Sequence, residues 1–311
     1  MVEIEKSANC PLVSVIIPTY KRSNLITKTI DSVLNQTYSN IEIIVVDDNG
    51  RGCDNQIQTE QSLHKYIIEK KIIYLVHEKN KNGSAARNTG LTHAKGLFVN
   101  FLDDDDVLCP AKIEHSVKTL MDLNNQQYGA AYCNSEIWVK KFNTIVKRTT
   151  NNQLSGSFVK EYLTNQCTFN TSAILFRMNV VRSLNGFDES YVRYQDLELM
   201  VRFFANYKIK CVGNKPLLIY DITSDRFNNP NSEKQIDLTR KFFNDFEKFF
   251  RDRNIKKEII HAFYVNCMCA SIREKKYHIT KQAYLEARKE GFIGIKNIWR
   301  LIKAFIRSFI R

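Results

Sequence analysis

No stretch of this sequence approaches the about 18–20 consecutive apolar residues that a membrane-spanning helix requires, so a soluble or surface-bound chain is expected. Met1–Cys10 carries charges and lacks the apolar centre of a secretory leader, which points to the cytoplasm. None of the six histidines stands at metal-ligand spacing from another, and His77 and His93 read as surface or supporting residues. The eight cysteines (Cys10, Cys53, Cys109, Cys133, Cys167, Cys211, Cys267 and Cys269) are scattered. Only Cys267 and Cys269 lie close together. No second pair completes a zinc-like set, so they read as small apolar residues in a helix, and all eight as free thiols of a reducing compartment. Internal repeats and low-complexity tracts are absent. Acid is in short supply: 33 acidic against 46 basic residues leave a formal charge of +13.

What is present suits a folded chain. Of 311 residues, 43% are apolar and 25% charged, enough for one large domain with an extension or for two modest ones. The basic surplus predicts attraction to polyanions: nucleic acid, an anionic membrane or phosphorylated substrates. Without a helix-turn-helix, zinc-finger or aromatic ribonucleoprotein signature, nucleic acid is not expected as a partner.

The first half alternates two periods. Val13–Ile17, Ile41–Val46, Ile72–Val76 and Leu97–Leu102 are short apolar runs suited to strands buried on both faces. Leu25–Leu34, Ser62–Lys70 and Ala85–Ala94 carry a helical period. The pattern predicts a mostly parallel sheet flanked by helices, with ligands bound beyond the carboxyl ends of its strands. Three polar clusters fall at such ends: Thr19–Arg22, Asp47-Asp48 and Asp103–Asp106. Further on, Ala130–Val139 with Thr144–Arg148 suggests strands or a hairpin. Ser172–Phe176, Ile209–Val212 and Pro216–Tyr220 suggest short strands, and Leu197–Asn206 a helix. Asp225–Ser232, with Pro230, reads as a linker, and helices follow from Glu233.

Four adjacent carboxylates at Asp103–Asp106 repel one another unless a cation neutralises them. A solvated acidic loop is the plain alternative. This run, however, closes a buried strand of a basic chain, which favours a divalent metal shared with phosphate groups.

Val13–Tyr20 (VSVIIPTY), Ser32–Tyr38 (SVLNQTY), Ile43–Asp48 (IIVVDD), Gly83–Gly90 (GSAARNTG) and Phe101–Asp106 (FLDDDD) occur in this order. Together they resemble family 2 glycosyltransferases of the GT-A fold, and Ser172–Phe176, Gly186–Glu189 and Gln195–Leu199 extend the match over about the first 220 residues. The resemblance implies a GT-A α/β domain over 1–224. Its nucleotide-sugar half spans about 10–106 and its acceptor half about 107–224, with a helical, basic extension over 225–311. It implies that Pro18, Thr19 and Tyr20 flank the uridine, that Asp48 reads the uracil with Asp47 in support, and that Arg87 lies near the nucleotide or serves as a structural arginine. The Asp-x-Asp metal motif maps to Asp103 and Asp105, with Asp106 as the next carboxylate and Asp104 beside the nucleotide sugar. Asp104 fills a position usually given to a small residue, which leaves the register open. The metal implied is Mn²⁺ ahead of Mg²⁺.

Asp196 matches the family's base, which takes the proton of the acceptor hydroxyl in an inverting displacement. Gln195 stands where the family commonly has Glu. Glu198, the alternative base, lies two positions along the helix and is expected to face elsewhere. The processive members' Gln-x-x-Arg-Trp motif is missing, which implies transfer of one sugar per encounter. The implied reaction moves a hexose, Glc or Gal, from a UDP-sugar to a polyprenyl-pyrophosphate-linked sugar such as GlcNAc-diphospho-undecaprenol, for O-antigen or capsule polysaccharide. A catalytically silent nucleotide-sugar-binding scaffold is the alternative.

The last segment adds a separate signal. Lys296, Arg300, Lys303, Arg307 and Arg311 are spaced by four, three, four and four, and so fall in one helical stripe. Large apolar residues, from Phe292 and Ile295 to Phe309 and Ile310, occupy the rest. Over 291–311 this reads either as a helix lying in the plane of the inner membrane or as a terminal helix docked on the protein's own core. Trp299 would be an interfacial anchor, and Trp138 a core residue or part of the acceptor cleft.

Overall fold

The computed structural model describes residues 10–123, 125–141, 144–164, 166–222, 231–249 and 253–309. Met1–Asn9, most of the linker expected at 225–232, and Ile310 and Arg311 of the last segment lie outside them. The elements run β1 (Val13–Thr19), α1 (Ile26–Leu34), β2 (Ile41–Asp47), α2 (Asp54–Ile68), β3 (Ile73–Val76), α3 (Gly83–His93), β4 (Phe98–Phe101), β5 (Val107–Leu108) and α4 (Lys112–Met121). There follow β6 (Tyr128–Lys141), β7 (Thr144–Thr149), α5 (Val159–Leu163), β8 (Ile174–Arg177), α6 (Met178–Ser183), α7 (Gln195–Asn206) and β9 (Lys208–Ile222). The helices α8 (Ser232–Asp245), α9 (Arg253–Arg273), α10 (Tyr277–Lys289) and α11 (Ile295–Phe309) close the chain as described.

One nine-stranded sheet runs in the order β3-β2-β1-β4-β8-β6-β9-β5, with β7 paired to β6. β3, β2, β1 and β4 are mutually parallel, as are β6 and β9, whereas β5, β7 and β8 pair antiparallel to their neighbours. Helices cover the central strands, so the inward residues of β1 and β2, from Val13 to Ile17 and from Ile43 to Val46, are all buried. Pro18 interrupts no ladder, because the β1–β4 pairing ends at Ile16↔Phe101. At Gly90 a Cβ would meet Ile16 Cγ2 at 2.3 Å, so only glycine lets α3 approach β1 this closely.

Two elements depart from the sequence reading. α2 begins at Asp54 rather than Ser62, because its buried face opens with Gln56 and Thr59 before Leu63, and hydrophobic periodicity cannot see polar inward residues. The short strands expected at Ile209–Val212 and Pro216–Tyr220 are one strand, β9, whose register against β6 shifts around Gly213.

α4 carries a buried amine. Lys112 is 0% exposed, and its Nζ donates to the Asn100 side chain. Burial pulls its pKa down to about 8, with Cys133 acting in the opposite direction. In the unfolded chain the amine titrates near about 10.4. Between those values the unfolded chain holds a proton that the folded chain has shed. Stability therefore rises with pH across the window and is lost as pH falls through it. Buried Cys133, Cys167 and Cys267, with thiols pushed up to about 11, work in the opposite direction above about pH 9, so the effect is read as a difference: relative to Lys112→Met, wild type should gain on the order of 3 kcal/mol in urea unfolding between about pH 8 and 10.

The chain forms two compact units. One holds residues up to Val159 together with Thr168–Arg226; the other holds Lys160–Cys167 together with Phe227–Arg311. The second has its own apolar core, built from Ile236 of α8, Tyr264 and Met268 of α9, Ile279 and Ala283 of α10, and Ile293. Among the described residues no helix is long and apolar enough to cross a membrane. Cys267 is buried in α9, and all eight cysteines are free thiols.

Candidate active site at the carboxyl edge of the sheet

β1, β2 and β4 are parallel neighbours, so Thr19, Asp47-Asp48 and the loop after Phe101 emerge at one edge. There Asp103, Asp105 and Asp106 each bring a carboxylate oxygen within 4.8 Å of the other two. Asp104 turns elsewhere: it accepts from Thr19 Oγ1 at 2.7 Å and from Arg22 Nη1 at 2.8 Å. The same Arg22 nitrogen lies 3.0 Å from Asp105 Oδ2. Burial pushes the Asp104 carboxyl up to about 6, with Arg22 and Thr19 acting against the shift. A turn at Thr171–Ala173 braces the loop from below. Ser172 Oγ accepts from Asp103 N at 3.1 Å, and Asn100 Nδ2 donates to Ser172 O at 3.1 Å. Three converging carboxylates form an all-oxygen set of hard donors, which fits Mg²⁺ or Mn²⁺ and does not select between them.

Asp47 and Asp48 are both buried, with different duties. Asp47 accepts from Asn49 N at 2.9 Å and from the Tyr74 hydroxyl at 2.7 Å, tying the end of β2 to β3. The Asp48 carboxylate accepts four hydrogen bonds: His77 Nδ1 at 2.7 Å, Asn80 Nδ2 at 2.8 Å, Lys81 N at 2.8 Å and Asn82 N at 2.9 Å. A carboxylate offers about four lone-pair sites, so Asp48 organises the whole 77–82 loop. His77 is buried, not on the surface, and its Nε2 meets Thr89 Oγ1 at 2.9 Å. Asn82, at φ 82°, caps α3 by accepting from Ser84 N at 2.8 Å. Tyr20 is exposed beside this edge, with the Lys21 ammonium 5.0 Å from its ring centroid. Pro18 is half-buried.

α3 then delivers Arg87, on the same face as Gly90 one turn later. Its Nη2 donates to Asp103 Oδ1 at 2.7 Å and its Nη1 to Gln195 Oε1 at 3.1 Å, over the face of Phe187. Asn88 fastens the other side, donating to Phe187 O at 2.9 Å and to Glu189 Oε1 at 2.9 Å. Asp196 lies in the first turn of α7 beside Gln195, and its Oδ1 is buried with no hydrogen-bond partner. Burial raises its pKa. The Arg87 guanidinium opposes that rise, Asp103 adds to it, and Thr171 opposes it. Glu198 points away, into an ion pair with Arg202.

The structure thus gathers Thr19, Arg87, Asp103, Asp104, Asp105, Asp106 and, through Gln195, Asp196. Arg22 belongs to the polar cluster noted in the sequence, but no spacing pairs it with Asp104. Asn80 and Asn82 carry no sequence signal beyond being small and polar in loops.

This arrangement can be set against known proteins. The family model "Glycosyl transferase family 2" matches residues 14–182, more than half of the chain. The chain belongs to that family. Among its relatives, an uncharacterized glycosyltransferase of Rickettsia prowazekii is 36% identical over 201 residues, which is 62% of this chain and 59% of that protein. The chain therefore spans under two thirds of the length of that relative. WfgD of Escherichia coli, named as a UDP-Glc:alpha-D-GlcNAc-diphosphoundecaprenol beta-1,3-glucosyltransferase, is 30% identical over 205 residues, 65% of this chain and 73% of WfgD. The S. aureus TarS 1-349 structure in complex with UDP-GlcNAc aligns with TM-score 0.53 at 17% identity, over 96% of this chain and 81% of that one. The mannosyltransferase PcManGT from Pyrobaculum calidifontis, in complex with GDP-Man and Mn2+, aligns with TM-score 0.54 at 19% identity, with the same coverage of 96% and 81%. These neighbours establish the GT-A fold for this member of family 2.

Proposed function

We propose that this chain is an inverting glycosyltransferase. It moves one hexose, Glc ahead of Gal, from a UDP-sugar to a polyprenyl-pyrophosphate-linked sugar at the cytoplasmic face of the inner membrane, and forms a β-glycoside of an O-antigen or capsule repeat. The observation that carries the reading is the Arg87 guanidinium, which joins Asp103 of the acidic cluster to Gln195, the neighbour of Asp196. One side of that link suits a nucleotide diphosphate and the other suits an acceptor hydroxyl.

In this reading Asp103, Asp105 and Asp106 hold the divalent cation, which when bound supplies positive charge against the diphosphate. Thr19 and Arg22 fix Asp104 on the nucleotide side. Tyr20 offers its exposed ring to the base, while Asp47 and Asp48 hold the loops that shape the pocket. Asp196 accepts the proton of the acceptor hydroxyl as its oxygen attacks C1 from the face opposite the leaving group. Burial suits Asp196 to this, because a raised pKa makes a carboxylate a better base. WfgD's printed donor and acceptor support the choice of glucose and of a diphosphoundecaprenol-linked GlcNAc.

The test is UDP release from a panel of UDP-sugars, with Mn²⁺ and a synthetic GlcNAc-pyrophosphate-lipid acceptor. Acceptor-dependent turnover with UDP-Glc, abolished by EDTA, is the expected result. UDP binding without turnover across a wide acceptor panel would instead establish a silent scaffold.

A further inference from the structure

α11 has three faces, and the structure separates them. Leu301, Ala304 and Ser308 share one side. Ala304 and Ser308 are buried, and Leu301 packs on the core of the second unit. Arg300 Nη2 donates to Asn266 Oδ1 at 2.5 Å, and the Cys269 thiol approaches Arg300 O at 3.8 Å, so the helix is pinned along α9. At 100° per residue, Ile295, Trp299, Ile302, Phe305 and Ile306 fall on the opposite side, and Phe292 continues their line. These six large side chains are 41–71% exposed. Between the two faces the sequence spacing sets a flank of Lys296, Arg300, Lys303 and Arg307, and the helix holds no acidic residue.

Single exposed apolar residues are ordinary, but a contiguous face of six marks an interaction surface. The helix docks through Leu301, Ala304 and Ser308 and displays Trp299, Phe305 and three isoleucines. A second copy would set identical basic flanks of a +13 chain against each other, and like charges disfavour that contact. An anionic bilayer satisfies both features, taking the apolar face below its headgroups and the ammonium and guanidinium groups at them. We propose that the exposed face of α11 inserts into the headgroup boundary of an anionic lipid bilayer. This deepens the lipid-linked acceptor reading, and it rests on that reading only for the reason a bilayer would be needed.

The protein has two tryptophans, so Trp138→Phe in the full chain leaves Trp299 as the sole reporter. The probes are vesicles of phosphatidylcholine, alone or mixed with phosphatidylglycerol, with brominated acyl chains. On the anionic vesicles Trp299 emission should shift to the blue and be quenched. Neutral vesicles should bind at least about tenfold more weakly, as should the Lys303→Glu variant. Ile302→Ser with Ile306→Ser, exposed positions that leave the docked face intact, should cost at least about tenfold on either vesicle. An unchanged, unquenched Trp299 overturns the inference. So does a blue shift that needs no lipid and follows a doubling of mass in light scattering, since a second copy then covers the face. No sugar nucleotide enters this assay. Vesicle binding without turnover would strike the enzymatic reading alone, and turnover without vesicle binding would strike the inference alone.

Discussion

Asp196→Asn is expected to lower sugar transfer by between about a hundredfold and ten-thousandfold, the usual worth of a positioned proton acceptor. UDP-sugar affinity should stay within about threefold, because the amide is isosteric and Arg87 is held by hydrogen bonds to Asp103 and Gln195 that position 196 does not make. Arg87 keeps both bonds, so the edge of the sheet should remain assembled. Steady-state UDP release, set beside donor binding by calorimetry, separates the two quantities. Turnover within a few-fold of wild type would move the proton acceptor elsewhere. Glu198 would be a poor substitute, since Arg202 already holds it.

The second large effect concerns the acidic cluster. Asp105→Asn removes one of three carboxylates whose oxygens lie within 4.8 Å of one another. Mn²⁺ affinity, read by electron paramagnetic resonance, should drop at least about tenfold, and turnover at least about a hundredfold. The metal-free fold should persist, because Arg22 retains Asp104 at 2.8 Å and Thr19 retains it at 2.7 Å. Wild type should gain thermal stability with Mn²⁺, by about 2.7 kcal/mol at a hundred times the dissociation constant, and the variant should gain far less at the same concentration. Equal Mn²⁺-induced stabilisation of both would place the cation outside this cluster.

The parts of the fold that could be read from sequence are those governed by local pattern. β1, β2 and β4 announce themselves because strands covered on both faces are apolar throughout, and α1 because its inward positions Ile26, Thr29, Ile30 and Val33 follow the helical period. α2 hid its first turns because a helix burying Gln56 and Thr59 looks polar all round. The aspartates were visible as a run, but which three share a centre depends on how Thr19 and Arg22 draw Asp104 aside, contacts made across 85 and 82 residues of chain. The duty of Asp48 was harder still. Its four partners arrive from a loop after β3, and backbone donors such as Lys81 N leave no trace in residue identity.

The second unit is not a tail sewn on at one point. Lys160–Cys167 belongs to it, although this segment lies far ahead of Phe227 in the chain, so the polypeptide crosses between the units at 159/160, at 167/168 and at 226/227. Tyr162, Leu163 and Cys167 of that segment are buried in the finished protein. During synthesis the segment leaves the ribosome well before the helices grouped with it. A truncation ending near 226 would leave the first unit carrying a segment that belongs to the second. Genetic dissection of the two units would therefore have to work by substitution, or by trimming α11 alone, and not by a single cut.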